Sequence, residues 1–240
     1  MTPYLELAPP PHLADSVECF WTMRSEHSFG HRVLPDGCAD ILFTRDRKAS
    51  LTVIGTMTRY EDFQIPAGQL LVGVRFRPGM SATQLGVSPQ RITDLRLPLE
   101  ELWGARARTL LEKMGDAKSP QECVALLGQS LRPPRARTPA QRAVAWMEAH
   151  PVSISLDDIA FQTGLSARQF RRVCVQQTGV SPKLLARVLR FRKALAQVRS
   201  QAGQHAGLAA DCGYFDQSHF IAEFERFAGQ SPSAYLRAVR

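Results

Sequence analysis

Leu156-Asp157-Asp158-Ile159-Ala160, Gly164-Leu165-Ser166, Phe170, Val173 and Gly179-Val180-Ser181-Pro182 form a pattern that returns as Gly207-Leu208-Ala209, Gly213-Tyr214, Phe220, Phe224 and Gly229-Gln230-Ser231-Pro232. Ala160 to Ala209 and Gly164 to Gly213 are offset by 49 residues, and Phe170 to Phe220, Gly179 to Gly229 and Pro182 to Pro232 by 50. The one inserted residue falls after the glycine, where a turn accommodates it. Each copy reads as two helices joined by a tight turn. Ala160 and Ala209 let the helices cross closely, and Gly164 and Gly213 suit a left-handed turn that a side chain would penalise. Ser166 and Asp216 are helix caps. Phe170 and Val173 in one copy, and Phe220, Phe224 and Phe227 in the other, recur at helical spacing. Ser-Pro then restarts a helix, with the serine as cap and the proline in its first turn. A single match of this kind also describes any helical hairpin. Two in register, each closed by Ser-Pro, narrow the reading to a double helix-turn-helix.

The charge lies in the same half. The 240 residues carry a net charge of +8. Residues 1–131 hold 14 Lys/Arg against 15 Asp/Glu, net −1, whereas 132–240 hold 16 against 7, net +9. A basic, mostly arginine surface attracts polyanions, and arginine binds phosphate or a guanine edge through two hydrogen bonds. A solvated basic face would explain the charge but not the repeat. The five cysteines (Cys19, Cys38, Cys123, Cys174, Cys212) are odd in number and scattered, with no CxxC, so neither a disulfide framework nor a zinc cluster is indicated. Neither a secretory leader pattern nor an apolar run of membrane-spanning length occurs. The expectation is a soluble, cytoplasmic protein without membrane association.

Leu131-Arg132-Pro133-Pro134-Arg135-Ala136-Arg137-Thr138-Pro139 lacks apolar periodicity and marks a boundary. The expected division is a head over 1–131, an exposed linker over 132–138 and a helical domain over 139–240. The fold class is α+β: a β-rich head, a small barrel or sandwich with flanking helices, followed by an all-α domain. In the head, a helix is expected near Leu13–Val17. Strands are expected at Glu18–Met23, His31–Leu34, Ala39–Phe43, Leu51–Thr56 and Leu70–Phe76. Turns fall at Pro35-Asp36-Gly37, Pro66-Ala67-Gly68 and Pro78-Gly79. Helices near Pro98–Lys113 and Pro120–Leu127 close it. Beyond the linker, helices are expected from Pro139 to about His150, at Leu156–Gln162, at Ser166–Gln177 and from Ser181 to about Ser200. Three more should cover His205–Cys212, Asp216–Phe227 and Ser231–Val239.

In a helix-turn-helix the second helix enters the major groove, and its non-core positions near the N-terminus reach base edges. In the first unit these are Arg168, Gln169, Arg171 and Arg172. Arginine reads guanine and glutamine reads adenine. In the second they are Gln217, Ser218 and Ala222. Glu223 and Glu225 would repel phosphates if turned toward them, so the first unit is expected to carry most sequence discrimination. His219 reads either as a DNA contact or as a packed residue bonded to a nearby helix. The long helix between the units sets their separation on the scale of one duplex turn, roughly 34 Å, so one chain reaches two grooves.

The C-terminal hundred residues resemble the AraC/XylS family of bacterial regulators. The resemblance rests on Gly213-Tyr214-Phe215-Asp216-Gln217-Ser218-His219-Phe220, Phe224, Gly229, Ser231-Pro232 and Tyr235. It implies a seven-helix DNA-binding domain, binding to double-stranded promoter DNA and activation through contact with RNA polymerase. The head is similar to one found before this domain in many bacterial regulators, through Arg32-Val33-Leu34-Pro35-Asp36-Gly37-Cys38-Ala39-Asp40-Ile41 and Gly73-Val74-Arg75-Phe76-Arg77-Pro78-Gly79. That implies a sensory or dimerising role, and a homodimer is one possible assembly.

Arg32, Asp36, Cys38, Arg75 and Arg77 are the candidate effector-binding residues, for a small polar or acidic molecule. Asp40 belongs to the same charged set. The other reading of this set is an internal ion-pair network, with Asp36 capping its turn. Cys38 is a candidate redox sensor or a packed core thiol. A DNA-repair alkyltransferase would need a zinc-binding cysteine cluster that is lacking here. No cofactor or enzymatic activity is expected. The leading functional expectation is a sequence-specific, effector-responsive regulator. A ligand-free regulator with a dimerising or partner-binding head comes second, and a DNA-modifying enzyme third.

Overall fold

The computed structural model describes residues 4–133, 136–152, 155–200 and 207–239. Pro134-Arg135 of the linker and His205-Ala206 of one expected helix lie outside them, as does the side chain of Ala160.

The head is built on an antiparallel six-stranded sheet of order β1-β2-β7-β4-β5-β8. Its strands are β1 Tyr4–Leu7, β2 Val17–Arg24, β4 Ala39–Arg45, β5 Ala49–Ile54, β7 Leu70–Phe76 and β8 Arg96–Pro98. The ends β1 and β8 do not pair, so the sheet is open. A two-stranded ribbon, β3 Phe29–Val33 with β6 Glu61–Ile65, accompanies it. Alternation along each strand feeds two separate clusters. Phe20, Ile41, Phe43, Val72, Val74 and Phe76 pack with Leu110, Met114, Cys123 and Leu127. Those four belong to α3 Ala105–Asp116 and α4 Pro120–Ser130. The opposite-facing Cys19, Trp21, Met23 and Leu71 pack with Ile65 of the ribbon. Register places Arg75 directly across from Asp40 and from Cys19, so the charged residues continue this second face past the end of its apolar patch.

Five strands and the closing helices stand where the sequence suggests. Three strands went unread: β1, β6 and β8 are short or interrupted by polar residues. The helix expected at Leu13–Val17 is a correction. Only a 3-10 turn forms, Pro11–Leu13, and Val17 already opens β2. Two prolines ahead of it, and the sheet that buries Val17, outweigh helical spacing. The expected helix near Pro98–Lys113 is split into α2 Glu100–Trp103 and α3 at Gly104, whose φ of 55° no right-handed helix accommodates. The short α1 Ser81–Leu85 completes the head. Gln84 brackets the start of the linker, donating to Arg132 O and accepting from Arg132 N, both at 2.9 Å.

Seven helices follow among the described residues: α5 Pro139–Ala149, α6 Leu156–Thr163, α7 Ala167–Thr178, α8 Pro182–Ser200, α9 Leu208–Asp211, α10 Gln217–Ala228 and α11 Pro232–Val239. Two cores form. Ala143, Val144, Met147, Ile159, Phe170, Cys174 and Leu185 surround the first unit. Phe191, Ala194, Val198, Leu208, Tyr214, Phe220, Phe224 and Phe227 surround the second. Helix α8 contributes to both, Leu185 and Leu189 to one and Val188, Phe191 and Val198 to the other. Its 19 residues make a rod of about 28 Å. Phe191 packs edge-on to Phe224 at 5.3 Å between ring centres and lies 5.2 Å from Phe227, which locks α10 onto the rod.

Both turn glycines are left-handed, Gly164 at φ 68° and Gly213 at φ 72°. Their surroundings differ. A Cβ on Gly164 would meet open space, whereas one on Gly213 would sit 2.5 Å from Val152 Cγ1. Gly164→Ala should therefore cost about 1 kcal/mol, the price of the conformation alone. Gly213→Ala adds a steric term and should cost roughly 2 kcal/mol or more. Urea melts of the two variants compare these values, and equal losses would contradict the packing around Gly213.

Candidate nucleic-acid interface

The two second helices, α7 and α10, are built alike. Ser166 Oγ accepts from Gln169 N at 3.2 Å, and Gln169 Oε1 accepts from Ser166 N at 2.8 Å, a complete capping box. Asp216 Oδ1 accepts from His219 N at 2.7 Å. Both helices end on left-handed glycines, Gly179 and Gly229. The caps leave Phe170 and Cys174, or Phe220, Phe224 and Phe227, buried in their cores.

Arg168, Arg171 and Arg172 are exposed on α7, and Gln217, Ser218 and Ala222 on α10. Gln169 is exposed too, but its carboxamide oxygen is engaged in the cap. A glutamine reading adenine needs both its oxygen and its nitrogen free. Without DNA, the Gln169 side chain orders the start of the helix that carries the arginines.

Between the units lies an open cleft of about 880 Å³. Arg171 lines one wall, His219, Glu223 and Arg226 line the other, and Lys183, Arg187 and Arg190 rise from α8 beneath. Thus α7 and α10 present side chains to one common space. Glu223, expected to repel phosphate, is instead held by Arg187 through two bonds, Nε to Oε2 at 2.8 Å and Nη2 to Oε1 at 2.6 Å. That paired bond to Arg187 keeps the Glu223 carboxyl below the usual range. Its reach across α8 was invisible to helical spacing. Glu225 stays exposed. His219 takes neither of its expected forms cleanly. Its Nδ1 accepts from Phe215 N at 3.3 Å, and its ring stands edge-on to Tyr214 at 5.4 Å. It braces the turn ahead of α10 while facing the cleft. One surface feature went unread: Phe215, just ahead of the α10 cap, is 92% exposed.

The candidate effector residues lie elsewhere, where head and helical domain meet, and each has protein partners. Arg32 pairs with Asp62 at 2.6 Å and donates to Ala228 O at 3.1 Å. Asp36 Oδ1 caps Cys38 N at 2.9 Å, as a turn clamp would. Arg75 lies 3.1 Å from Asp36, 3.5 Å from Asp40 and 3.8 Å from Glu6. Arg77 donates to Ala14 O at 2.9 Å and pairs with Glu148 of α5 at 3.5 Å. Arg192 of α8 enters the same network, donating to Asp36 O at 3.2 Å and to Glu18. Burial raises the Glu18 carboxyl, but Arg192 and the Cys38 thiol offset this and leave it below the usual range. Cys38 donates to Glu18 Oε2 at 3.1 Å, and burial among carboxylates pushes its thiol well above the ordinary value. A protonated, enclosed thiol makes a poor redox sensor. All five cysteines are buried, and burial pushes Cys19 and Cys174 up to about 12. An iodoacetamide time course at neutral pH should therefore label none of them until denaturant is added. Rapid labelling of Cys38 in the native protein would restore the sensor reading.

The head also touches both repeats at equivalent places. Thr93 Oγ1 lies 3.0 Å from Gly179 O, and Ser88 Oγ donates to Gln176 O at 2.8 Å. A Cβ on Gly179 would fall 2.3 Å from Thr93 Oγ1, and one on Gly229 would fall 2.5 Å from Tyr60 and 2.7 Å from Arg32. The head therefore grips α7 and α10 by their C-terminal ends and leaves their N-terminal arginines and glutamine exposed.

Residues 159–238 match the family model described as a helix-turn-helix domain, and residues 5–98 match the one described as a domain of unknown function, DUF6597. Over 90 residues the chain is 36% identical to the HTH-type transcriptional activator RhaS of Escherichia coli O139:H28, covering 37% of this chain and 32% of that protein. The chain thus spans about a third of the length of the curated relatives it matches. Among solved structures, the C-terminal domain of AraT, a response regulator from Geobacillus stearothermophilus, is 25% identical with a TM-score of 0.40, covering 44% of this chain and 88% of that one. ToxT from Vibrio cholerae is 12% identical with a TM-score of 0.48, covering 98% of each chain.

Proposed function

We propose that this chain, which carries an AraC-type helix-turn-helix domain behind a DUF6597 head, is a transcription regulator that binds promoter DNA through α7 and α10. The observation that carries this reading is the cleft shared by Arg171 of α7 and His219 and Arg226 of α10. Two exposed, capped helices facing one space suit two successive major grooves of a single duplex. Arg168, Arg171 and Arg172 are the principal base readers. Gln217 and Ser218 add polar contacts from α10, while Ala222 and the exposed Phe215 offer apolar surface suited to thymine methyls. Activation through RNA polymerase belongs to the same reading, supported by the likeness to an activator. Selection from a random duplex library tests it. Two preferred blocks centred roughly 10 bp apart should emerge. Failure to enrich any sequence defeats the reading.

The head admits two roles. As a sensor it would bind a small effector through Arg32, Asp36, Cys38, Arg75 and Arg77. As a ligand-free scaffold, alone or as a homodimer, it would set the posture of the two recognition helices. The second is favoured by a specific observation: those five residues are already committed to each other, to Glu148 and Arg192, and to the end of α10. Either way, the head acts on DNA binding through Gly179, Gly229 and Arg192. A saturable thermal shift with one class in a metabolite library would favour the sensor instead.

A further inference from the structure

Where head and helical domain meet, four enclosed carboxylates, Glu18, Asp36, Asp40 and Glu148, gather around three guanidiniums, Arg75, Arg77 and Arg192. Among the described residues that is one negative charge more than these arginines balance, and Glu6 adds another at the exposed rim. Arg137, also near Glu148, is paired with Asp15 at 3.0 Å. Asp40 is the most enclosed of the four, its side chain 13% exposed against 23–24% for the others. Its bonding is incomplete. Asp40 Oδ1 is buried without a hydrogen-bond partner, and so is Trp21 Nε1, whose indole faces it. Arg75 Nε stands 3.1 Å from Asp36 and 3.5 Å from Asp40 yet completes a hydrogen bond to neither. One guanidinium is thus divided between two carboxylates, in a place where uncompensated charge is costly. A neutral Asp40 leaves Arg75 to Asp36 alone. Asp36 in turn reaches the helical domain: its Oδ1 caps Cys38 N at 2.9 Å, and its carbonyl accepts from Arg192 of α8 at 3.2 Å.

We propose that Asp40 is a proton-operated latch on the contact between the head and α8. A proton taken from solvent by Asp40 assigns Arg75 to Asp36 and tightens the turn that receives Arg192; its release divides Arg75 again and loosens that turn. The proposal rests on the scaffold reading of the head and gives the scaffold an input. The surrounding groups leave the titration to Asp40. Across the sheet it faces Arg75 of β7 and the uncharged Ile54 of β5. Glu18 and Cys19 approach from β2, and Asp36 and Cys38 from the turn before β4. Tyr4 and Glu6 of β1 reach Arg75 from the rim. Burial pushes both thiols and the Tyr4 phenol up, so they keep their protons. Burial also raises Glu18, but Arg192 and the Cys38 thiol outweigh it and keep that carboxylate charged. For Asp40, burial pushes the carboxyl up to about 7; Arg75 opposes this, and Asp36 and Glu18 reinforce it. Glu148 is raised by burial against Arg192 and Arg77 and is the competing group. A solvated aspartate titrates near pH 4, so between about 4 and 7 the closed junction holds a proton that an opened one releases. The contact therefore strengthens as pH falls through 7 and is indifferent to pH above it.

Hydrogen exchange of the full chain tests this, read on peptides covering residues 36–40 and 187–195 and corrected for the intrinsic pH dependence of exchange. From pH 8 to pH 6, protection of both should rise about tenfold, as one linked proton with a midpoint near 7 requires. Asp40→Asn, uncharged at every pH, should give a flat profile at the level the wild type reaches at pH 6. Glu148→Gln should keep the rise. Asp40→Ser, also uncharged, serves if Asp40→Asn does not fold. A flat wild-type profile overturns the proposal. So does a rise that survives the loss of the Asp40 carboxyl, or one that vanishes in Glu148→Gln, since another group would then hold the proton. Exchange is read on the free protein, which separates the latch from the scaffold reading. Affinity for a two-block duplex that ignores pH beside an intact exchange profile would defeat the scaffold and leave the latch standing.

Discussion

Replacing Arg168 and Arg171 together by alanine should weaken binding to the selected duplex by about 2–5 kcal/mol, some 30- to several-thousandfold. Each bidentate arginine–guanine contact is worth about 1–3 kcal/mol. The two stand three residues apart on one helical face, so their losses need not add fully. Both are exposed on a helix whose cap and core lie elsewhere, and alanine is the best helix former, so α7 should persist. The loss should be confined to the sequence block under α7, with the block under α10 still preferred. Titration of selected and scrambled duplexes at fixed salt measures this. Undiminished discrimination by Arg168→Ala/Arg171→Ala would remove α7 from the recognition surface.

Arg192→Ala should have the second-largest effect, on the union of head and helical domain. Arg192 and Glu18 are each about three-quarters enclosed, and the arginine also binds Asp36 O. Removing the arginine strands Glu18 and a carbonyl in a low-dielectric junction, which costs about 3 kcal/mol. Arg192→Lys should recover little, since an ammonium cannot serve both partners with a planar fork. Glu18→Gln in the Arg192→Ala background should recover part, because the stranded charge is gone. Calorimetry should show the helical domain melting ahead of the head, where the wild type melts closer to one transition. An Arg192→Ala melt superimposable on the wild type would show that this ion pair does not hold the junction. The same variant bears on regulation. If the head sets the posture of α7 and α10, loosening its hold should alter affinity for two-block sites more than for single blocks.

Much of the helical half was legible because its signals are local. Caps, turn glycines and the spacing of Phe170, Phe220 and Phe224 act within one or two helical turns, and each specifies its element with little outside help. The head was less legible. Strands β1, β6 and β8 owe their existence to distant partners, as when Tyr4 pairs with Met23 or Leu97 with Val53. Glu61, Asp62 and Gln64 look like loop until the facing strand is known. The aborted helix at Leu13–Val17 failed for the same reason: burial of Val17 in the sheet outweighs a short helical pattern.

What the sequence by itself determined is a pair of capped helical units, a basic C-terminal half and arginines placed on the outer face of α7. Periodicity and charge decide these, and both are written in residue order. Only the tertiary structure decided what each polar side chain spends its bonds on. Gln169 turns to its own cap, Glu223 clamps Arg187, and Arg192 reaches back to Glu18, 174 residues away in the chain. Arg32 meets Ala228 O across 196 residues. Such pairings depend on where two domains come to rest, and no spacing rule carries that information. Residue order therefore located the two capped second helices, and packing selected which of their side chains stay exposed.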